Sequence, residues 1–337
     1  MINANINALH AQHRYIDSVA PLLSTIEVGA VADNKIVQTY NEALDTGSVP
    51  ATTDFTLVGS GLATISSVAV AGSAVTLTLS GDIYDFEVIT LSYTAGANPI
   101  RDVAENNAAN LTNQSVTNNS STSAPSIISD GNTVAWFDAA VNITKDVSNF
   151  VSVWGDKSGL NHHLLQASGT NQPLWSADGV LFDGVDNFMQ TATFPLEQPE
   201  MIYIVFKQIT WTDSERITDG FNNYSGNLYQ YVSTPGLSLR CGAAVASANN
   251  NLTLNTFGIA RVLFSGAGSK ITINDTAPLV MNPGFLDMDG LTLGSRALGD
   301  TFFAHCEIKE VILRKIADTA PSEAEIYAYL ASKYSIS

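Results

Sequence analysis

A chain of 337 residues is long enough for two domains, and at 45% hydrophobic and 14% charged it has a globular composition, not a disordered one. Its 15 basic against 32 acidic residues give a formal net charge of −17, a field that repels nucleic acid and anionic lipid and argues against both as partners. No run approaches the ~18 apolar residues of a membrane span, and Cys241 and Cys306 are too few for a disulfide scaffold and lack metal-ligand spacing. Two free, mostly buried thiols are the expectation.

In chain order, Ile2, Ile6, Leu9, His13, Ile16 and Ala20 recur at three- and four-residue spacing, one face of a short helix that Pro21 would end. Two uses fit residues 1–20: a locally packed terminal helix, or an arm that docks the protein into a larger particle. Met1 to Asn7 carries neither the basic start nor the apolar core of a secretory signal.

Residues 21–117 read as an immunoglobulin-like β-sandwich. Lys35 to Tyr40 alternates as a strand, Ser67 to Leu79 as a hairpin turning at Ala71-Gly72-Ser73, and Val88 to Tyr93 as a further strand. With no Trp or His and only Lys35 and Arg101 as bases, this part offers little for catalysis. Residues 118–126 are polar and apolar-poor, hence a linker.

The rest, 127–337, holds all four tryptophans and a second series of strands. These begin at Asn132 to Asp138 and continue at Met201 to Lys207, Asn227 to Val232, Phe257 to Phe264, Lys270 to Asn274, Leu291 to Gly294 and Glu307 to Leu313. Between the first two, Trp154-Gly155-Asp156-Lys157-Ser158-Gly159 and Phe182-Asp183-Gly184-Val185-Asp186-Asn187 alternate apolar pairs with turn residues. A capping box of Ser322 and Glu325 opens a closing helix whose buried face carries Ile326, Leu330 and Tyr334.

Those motifs carry two resemblances. Trp154 to Phe188 with the final strand and helix resembles a laminin-G-like, concanavalin A-like jelly roll over roughly residues 130–337. Tyr40 to Asp45, Ser67 to Val70, Val75 to Leu79 and Tyr93 to Asp102 resemble the SwmB-type repeat of bacterial surface and swimming-motility proteins. The expected fold is therefore all-β: an Ig-like sandwich and a jelly roll, flanked by a short N-terminal arm and a C-terminal helix.

Candidate chemistry is sparse. Glycoside hydrolysis needs two carboxylates flanking one bond. The laminarinase-like branch of the concanavalin-like fold sets them in a Glu-x-Asp-x-x-Glu run that is missing here. The nearest pair, Glu307 and Glu310, is expected on opposite faces of a strand. His162 and His163, and likewise His305 and Cys306, are neighbours that cannot face one another on a strand. Asp183 and Asp186, with Asn187, offer oxygen ligands for Ca²⁺ beside a glycine turn. The span Trp211 to Tyr231 combines aromatic rings with amides, a pairing suited to sugars: Trp211, Asn222, Asn223, Tyr224, Asn227 and Tyr229 are the candidate ligand residues.

Together these features point to a non-enzymatic protein of a bacteriophage virion surface, as a capsid decoration, head fibre or tail-fibre adhesin. Its jelly roll would face outward and bind host-surface glycans. Ile2, Ile6, Leu9, His13 and Ile16 would dock it to other virion proteins, either major capsid or tail proteins, and oligomerisation is compatible with such a role. A secreted bacterial adhesin and a glycan-cleaving enzyme are the alternatives.

Overall fold

The computed structural model describes residues 17–58, 63–85, 87–121, 124–231, 233–242 and 250–336. The proposed docking residues Ile2, Ile6, Leu9, His13 and Ile16 lie outside the described residues. The chain divides at residue 123 into two units, each with its own apolar core, and both are all-β.

In the first unit, strict alternation builds the core. Lys35–Tyr40 buries Ile36, Gln38 and Tyr40, and its neighbour Ala74–Leu79 buries Val75, Leu77 and Leu79. The sheet runs Ile65–Ala71, Ala74–Leu79, Lys35–Tyr40, Leu23–Val28, Thr117–Asn118. A second sheet runs Phe55–Val58, Thr90–Tyr93, Leu111–Ser115. Ala71 pairs with Ala74, so Gly72 and Ser73 form the two-residue hairpin turn, with Gly72 at φ 59° as such a turn requires. Composition marks 118–126 as linker, yet its first residues belong to this sandwich. Asn119 N–H donates to the Val28 carbonyl at 2.9 Å, and the Asn118 amide donates to the carbonyls of Tyr84 and Glu87 at 2.7 and 2.9 Å. Polarity identifies exposure here, not the lack of a partner strand.

The second unit is a sandwich of two larger sheets. One, of nine strands, has the order Ile143–Lys145, Val151–Trp154, Leu164–Leu165, Met189–Gln190, Thr292–Leu293, Arg216–Asp219, Asn227–Gln230, Gly236–Arg240, Asn250–Asn251. The other centres on His305–Arg314, paired on one side with Glu200–Gln208 and on the other with both Gly179–Asp183 and Thr133–Asp138. Beyond Glu200–Gln208 lie Phe257–Phe264, Ser269–Ile273 and Leu279–Met281. Ile202, Ile204 and Phe206 from this sheet join Ile217, Leu228, Leu237 and Leu239 from the other in one apolar core.

The Trp154 to Gly159 motif has a physical reason. Asp156, 8% exposed, accepts from the backbone N–H of Trp136, Ser158 and His162 at 2.8–3.0 Å and from the Ser158 hydroxyl at 2.7 Å, tying strand Thr133–Asp138 to the loop. His163 Nδ1 accepts from Asp156 N–H at 3.0 Å, while His162 stacks on Phe194 with centroids 3.8 Å apart. Both histidines are built into this loop.

Two expectations need correction. Helix Ala320–Tyr334 starts earlier than the Ser322–Glu325 box implies. Thr319 is its N-cap and accepts from Ser322 N–H, Pro321 lies in the first turn, and Glu323 is buried against Lys270 and Arg261. Glu307 and Glu310 do not point to opposite faces. Val205 pairs with Glu310 and Phe206 with Ile308, so Lys309 is an extra residue in a bulge that turns both carboxylates to the face away from the core. A bulge shifts the two-residue period by one, and nothing local in the sequence announces it.

Candidate functional site

On the far side of the nine-stranded sheet from the core, three strands present a polar and aromatic row. Cross-strand register pairs Arg216 with Tyr229, Tyr229 with Ser238, and Asn227 with Arg240. Their alternates Leu228, Leu237 and Leu239 fill the core, so the pleat assigns this second set to the opposite face.

Two loops complete the face. The loop 219–225 is shaped by Asp219, whose carboxylate accepts four backbone N–H groups: Gly220 at 2.9 Å, Ser225 at 3.1 Å, Tyr224 at 3.2 Å and Ala297 at 3.1 Å. Burial nonetheless raises its pKa, those hydrogen bonds opposing the shift. Gly220 has no room for a side chain, since a Cβ would sit 2.6 Å from the Met288 carbonyl oxygen. The loop after Leu293 is held by Arg296 on Asp300, a two-pronged pair at 2.5 and 2.6 Å, and delivers Phe302.

These loops bring aromatic rings over the arginines. The Arg216 guanidinium lies 4.5 Å from the Tyr229 ring centroid, 4.9 Å from Phe302 and 5.8 Å from Tyr224. Arg240 stacks on Tyr224 at 3.7 Å. Tyr231 adds a ring 5.3 Å from that of Tyr229. Arg216 is 2% exposed and Asn227 fully buried, whereas Tyr224, Asn223 and Arg240 are half-buried, so the first two form a floor and the others a rim. Burial lowers the pKa of Arg216, and raises that of Tyr229.

Of the six candidate sugar ligands, Tyr224, Asn227 and Tyr229 come together here. Asn223 points a carbonyl oxygen with no hydrogen-bond partner into the interior. Asn222 is exposed and reaches Asp289 at 3.3 Å, and Trp211 donates to the Gly236 carbonyl at 3.0 Å at the end of the neighbouring strand. Arg216, Arg240 and Phe302 are the residues sequence reasoning missed. Arg216 sits inside the aromatic stretch and could have been noticed, but Arg240 and Phe302 arrive only through strand pairing and a loop 60 residues further on.

The remaining candidates lie elsewhere. Asp183 Oδ1 accepts from the N–H groups of Val185, Asp186 and Asn187 at 2.9–3.4 Å, and Asp186 accepts from the Asn187 amide, so both close a local turn. Among the described residues, the three carboxylates that converge within metal-binding distance are Asp17, Glu42 and Asp102, in the first unit. Asp102 is already committed to the N–H groups of Ala104 and Asn106 at 2.8 Å. Both cysteines are free and buried, Cys241 with its thiol pushed up to about 12 by burial. Glu307 is held by Lys207 at 2.6 Å, and Glu310, fully buried, accepts from Trp136, Tyr329, Lys333 and Tyr334 at 2.6–3.1 Å.

Residues 16–98 match a putative flagellar system-associated repeat. The N-terminal unit contains a repeat domain of this kind. No curated protein sequence matches the chain. Among solved structures, it is similar to Trypanosoma rangeli sialidase in complex with 2,3-difluorosialic acid, with a TM-score of 0.46 and 14% identity over 62% of this chain and 34% of that one. It is also similar to a GH54 α-L-arabinofuranosidase soaked with a cyclic sulfate inhibitor, with a TM-score of 0.43 and 14% identity over 55% of this chain and 51% of the other. The chain thus spans about a third of the length of that sialidase.

Proposed function

We propose that this is a non-enzymatic, surface-displayed binding protein whose second unit, read as a laminin-G-like jelly roll, holds a carbohydrate on the outer face of its nine-stranded sheet. The observation that carries this reading is the layer of Tyr224, Tyr229 and Asn227 on one face, with half-exposed Asn223 and Tyr224 at its rim. Aromatic faces stack on sugar C–H groups, and amides meet the hydroxyls. Binding is favoured over cleavage because Asp219, the carboxylate that shapes the loop of this face, is spent on four backbone N–H groups. A glycosidase needs two carboxyl groups free to reach the glycosidic bond.

In this reading the protein belongs to a bacteriophage particle surface, as capsid decoration, head fibre or tail-fibre adhesin. The first unit and residues 1–20 attach it to major capsid or tail proteins, and the partner of the second unit is a host-surface glycan. A bacterial surface adhesin is the second reading, and the flagellar-associated repeat at 16–98 favours it.

A glycan array probed with the full chain, run beside a reducing-end release assay, tests the function. Saturable binding without released product, reduced at least tenfold by Tyr224→Ala, is the expected result. Product release abolished by Asp219→Asn would overturn it in favour of an enzyme.

A further inference from the structure

The two arginines of this face stand out against every other arginine described. Arg101, Arg261, Arg296 and Arg314 each lie within ion-pair distance of a carboxylate, on Asp45, Glu323, Asp300, and Asp130 with Asp318. Arg216 and Arg240 do not, in a chain with 32 acidic residues. Arg216 is almost wholly buried, with Asp219 acting on it only from beyond ion-pair distance, and a buried charge so weakly compensated is costly. Aromatic stacking offsets part of that cost. One nitrogen, Nη1, donates to the Ser214 carbonyl, while Nε has no partner. Arg240 commits Nε to the Gly242 carbonyl at 2.9 Å and lays its plane on Tyr224. Directly across the strand pair from Arg240, Asn227 has neither amide atom hydrogen-bonded, although it is fully buried. Buried polar groups in native proteins are almost always satisfied, so unmet donors gathered beside two guanidinium groups that lack an ion-pair partner mark a place for acceptor oxygens carrying negative charge.

We infer that this face is an anion site, formed by Arg216, Arg240 and Asn227 against Tyr224, and that the glycan it takes is an acidic one bearing a carboxylate or sulfate group. The inference rests on the sugar-binding reading of the same face and narrows its ligand class. Arg240 is the contact at the rim, the acidic group forming a forked pair with its two Nη atoms. Arg216 and Asn227 complete the floor, and the ring of Tyr224 backs the pyranose. The protein's net charge of −17 repels polyanions generally, so selectivity for an acidic sugar has to come from this local reversal of sign.

Isothermal titration of the full chain with three probes of matched length tests this: oligogalacturonate, a sulfated galactan oligomer and a neutral galactan oligomer. At least one acidic probe is expected to bind tenfold or more tightly than the neutral one, and comparison of the two acidic probes identifies carboxylate or sulfate. Arg240→Gln should abolish that preference, the acidic and neutral probes then binding alike, and Arg240→Lys should restore only part of it because an ammonium cannot make the forked pair. Lys315→Gln, an equal charge change at an exposed position, should have no effect. Equal affinity for acidic and neutral probes, or an acidic preference that survives Arg240→Gln, overturns the acidic-glycan inference and leaves the sugar site standing. Binding of none of the three overturns both.

Discussion

The two outer faces of the second unit treat charge in opposite ways. Under helix Ala320–Tyr334, the face of strand His305–Arg314 closes every charge it buries. Glu310 is ringed by Trp136, Tyr329, Lys333 and Tyr334, Asp138 by Lys157 and Lys333, and Arg314 by Asp130 and Asp318. Burial alone would lower the pKa of Lys333, but Glu310 and Asp138 outweigh it and the net shift is upward. The outer face of the nine-stranded sheet buries Arg216 with no carboxylate within ion-pair distance and leaves Asn227 unsatisfied. A satisfied network rigidifies, whereas an unsatisfied one gives up stability that a ligand can restore. The first face is scaffold and the second is where binding is expected.

That contrast can be broken at its strongest point. Glu310→Ala removes the shared acceptor of four donors under the helix and should cost about 3–5 kcal/mol in urea unfolding. A cost below about 1 kcal/mol would mean that the network is not what fastens the helix. Glu200 gives a second, pH-dependent test. It lies at the core side of the sandwich edge, accepts from Met288 N–H at 2.7 Å, and leaves its other oxygen without a partner. Burial, with smaller contributions from Asp287 and Asp289, raises its pKa from 4.5 to about 9. The native state therefore keeps a proton that the unfolded chain releases, and stability falls as pH rises from about 4.5 to about 9, by at most ~1.4 kcal/mol per unit. Glu200→Gln should flatten that slope and be the more stable protein at pH 8, read as the midpoint of urea unfolding at pH 5 and 8. Unchanged pH dependence would contradict a neutral Glu200. The smallest effect belongs to the helix cap, where Thr319→Ala should cost about 1 kcal/mol in the same measurement.

Much of the framework was legible because it follows local rules. Lys35–Tyr40 alternates residue for residue, Phe257–Phe264 keeps the bounds its apolar run marks, and Gly72 marks its hairpin turn. Asp156 shows why an Asp-Lys-Ser-Gly run suits such a turn: one side chain replaces several backbone partners. Features that depend on pairing were not legible. Strand Leu23–Val28 gains its place from Lys35–Tyr40 and Thr117–Asn118, and Leu111–Ser115, with four of its five residues exposed, has no apolar face to announce it. The bulge at Lys309 and the meeting of Arg216, Arg240 and Phe302 both arise from register between distant segments. The candidate site was half visible for the same reason. Its aromatic residues cluster in sequence, whereas the charges that give it character are scattered.

The most direct measurement follows tyrosines on both faces at once. Fluorotyrosine-labelled protein, with resonances assigned by single Tyr→Phe changes, would be titrated with a bound oligosaccharide from the array and followed by ¹⁹F NMR. The predicted result is a saturable shift at Tyr224 and Tyr229 while Tyr329 and Tyr334, closed around Glu310, stay still. Movement of Tyr329 and Tyr334 in place of Tyr224 and Tyr229, or saturable binding that moves none of the four, would contradict the assignment of the binding face.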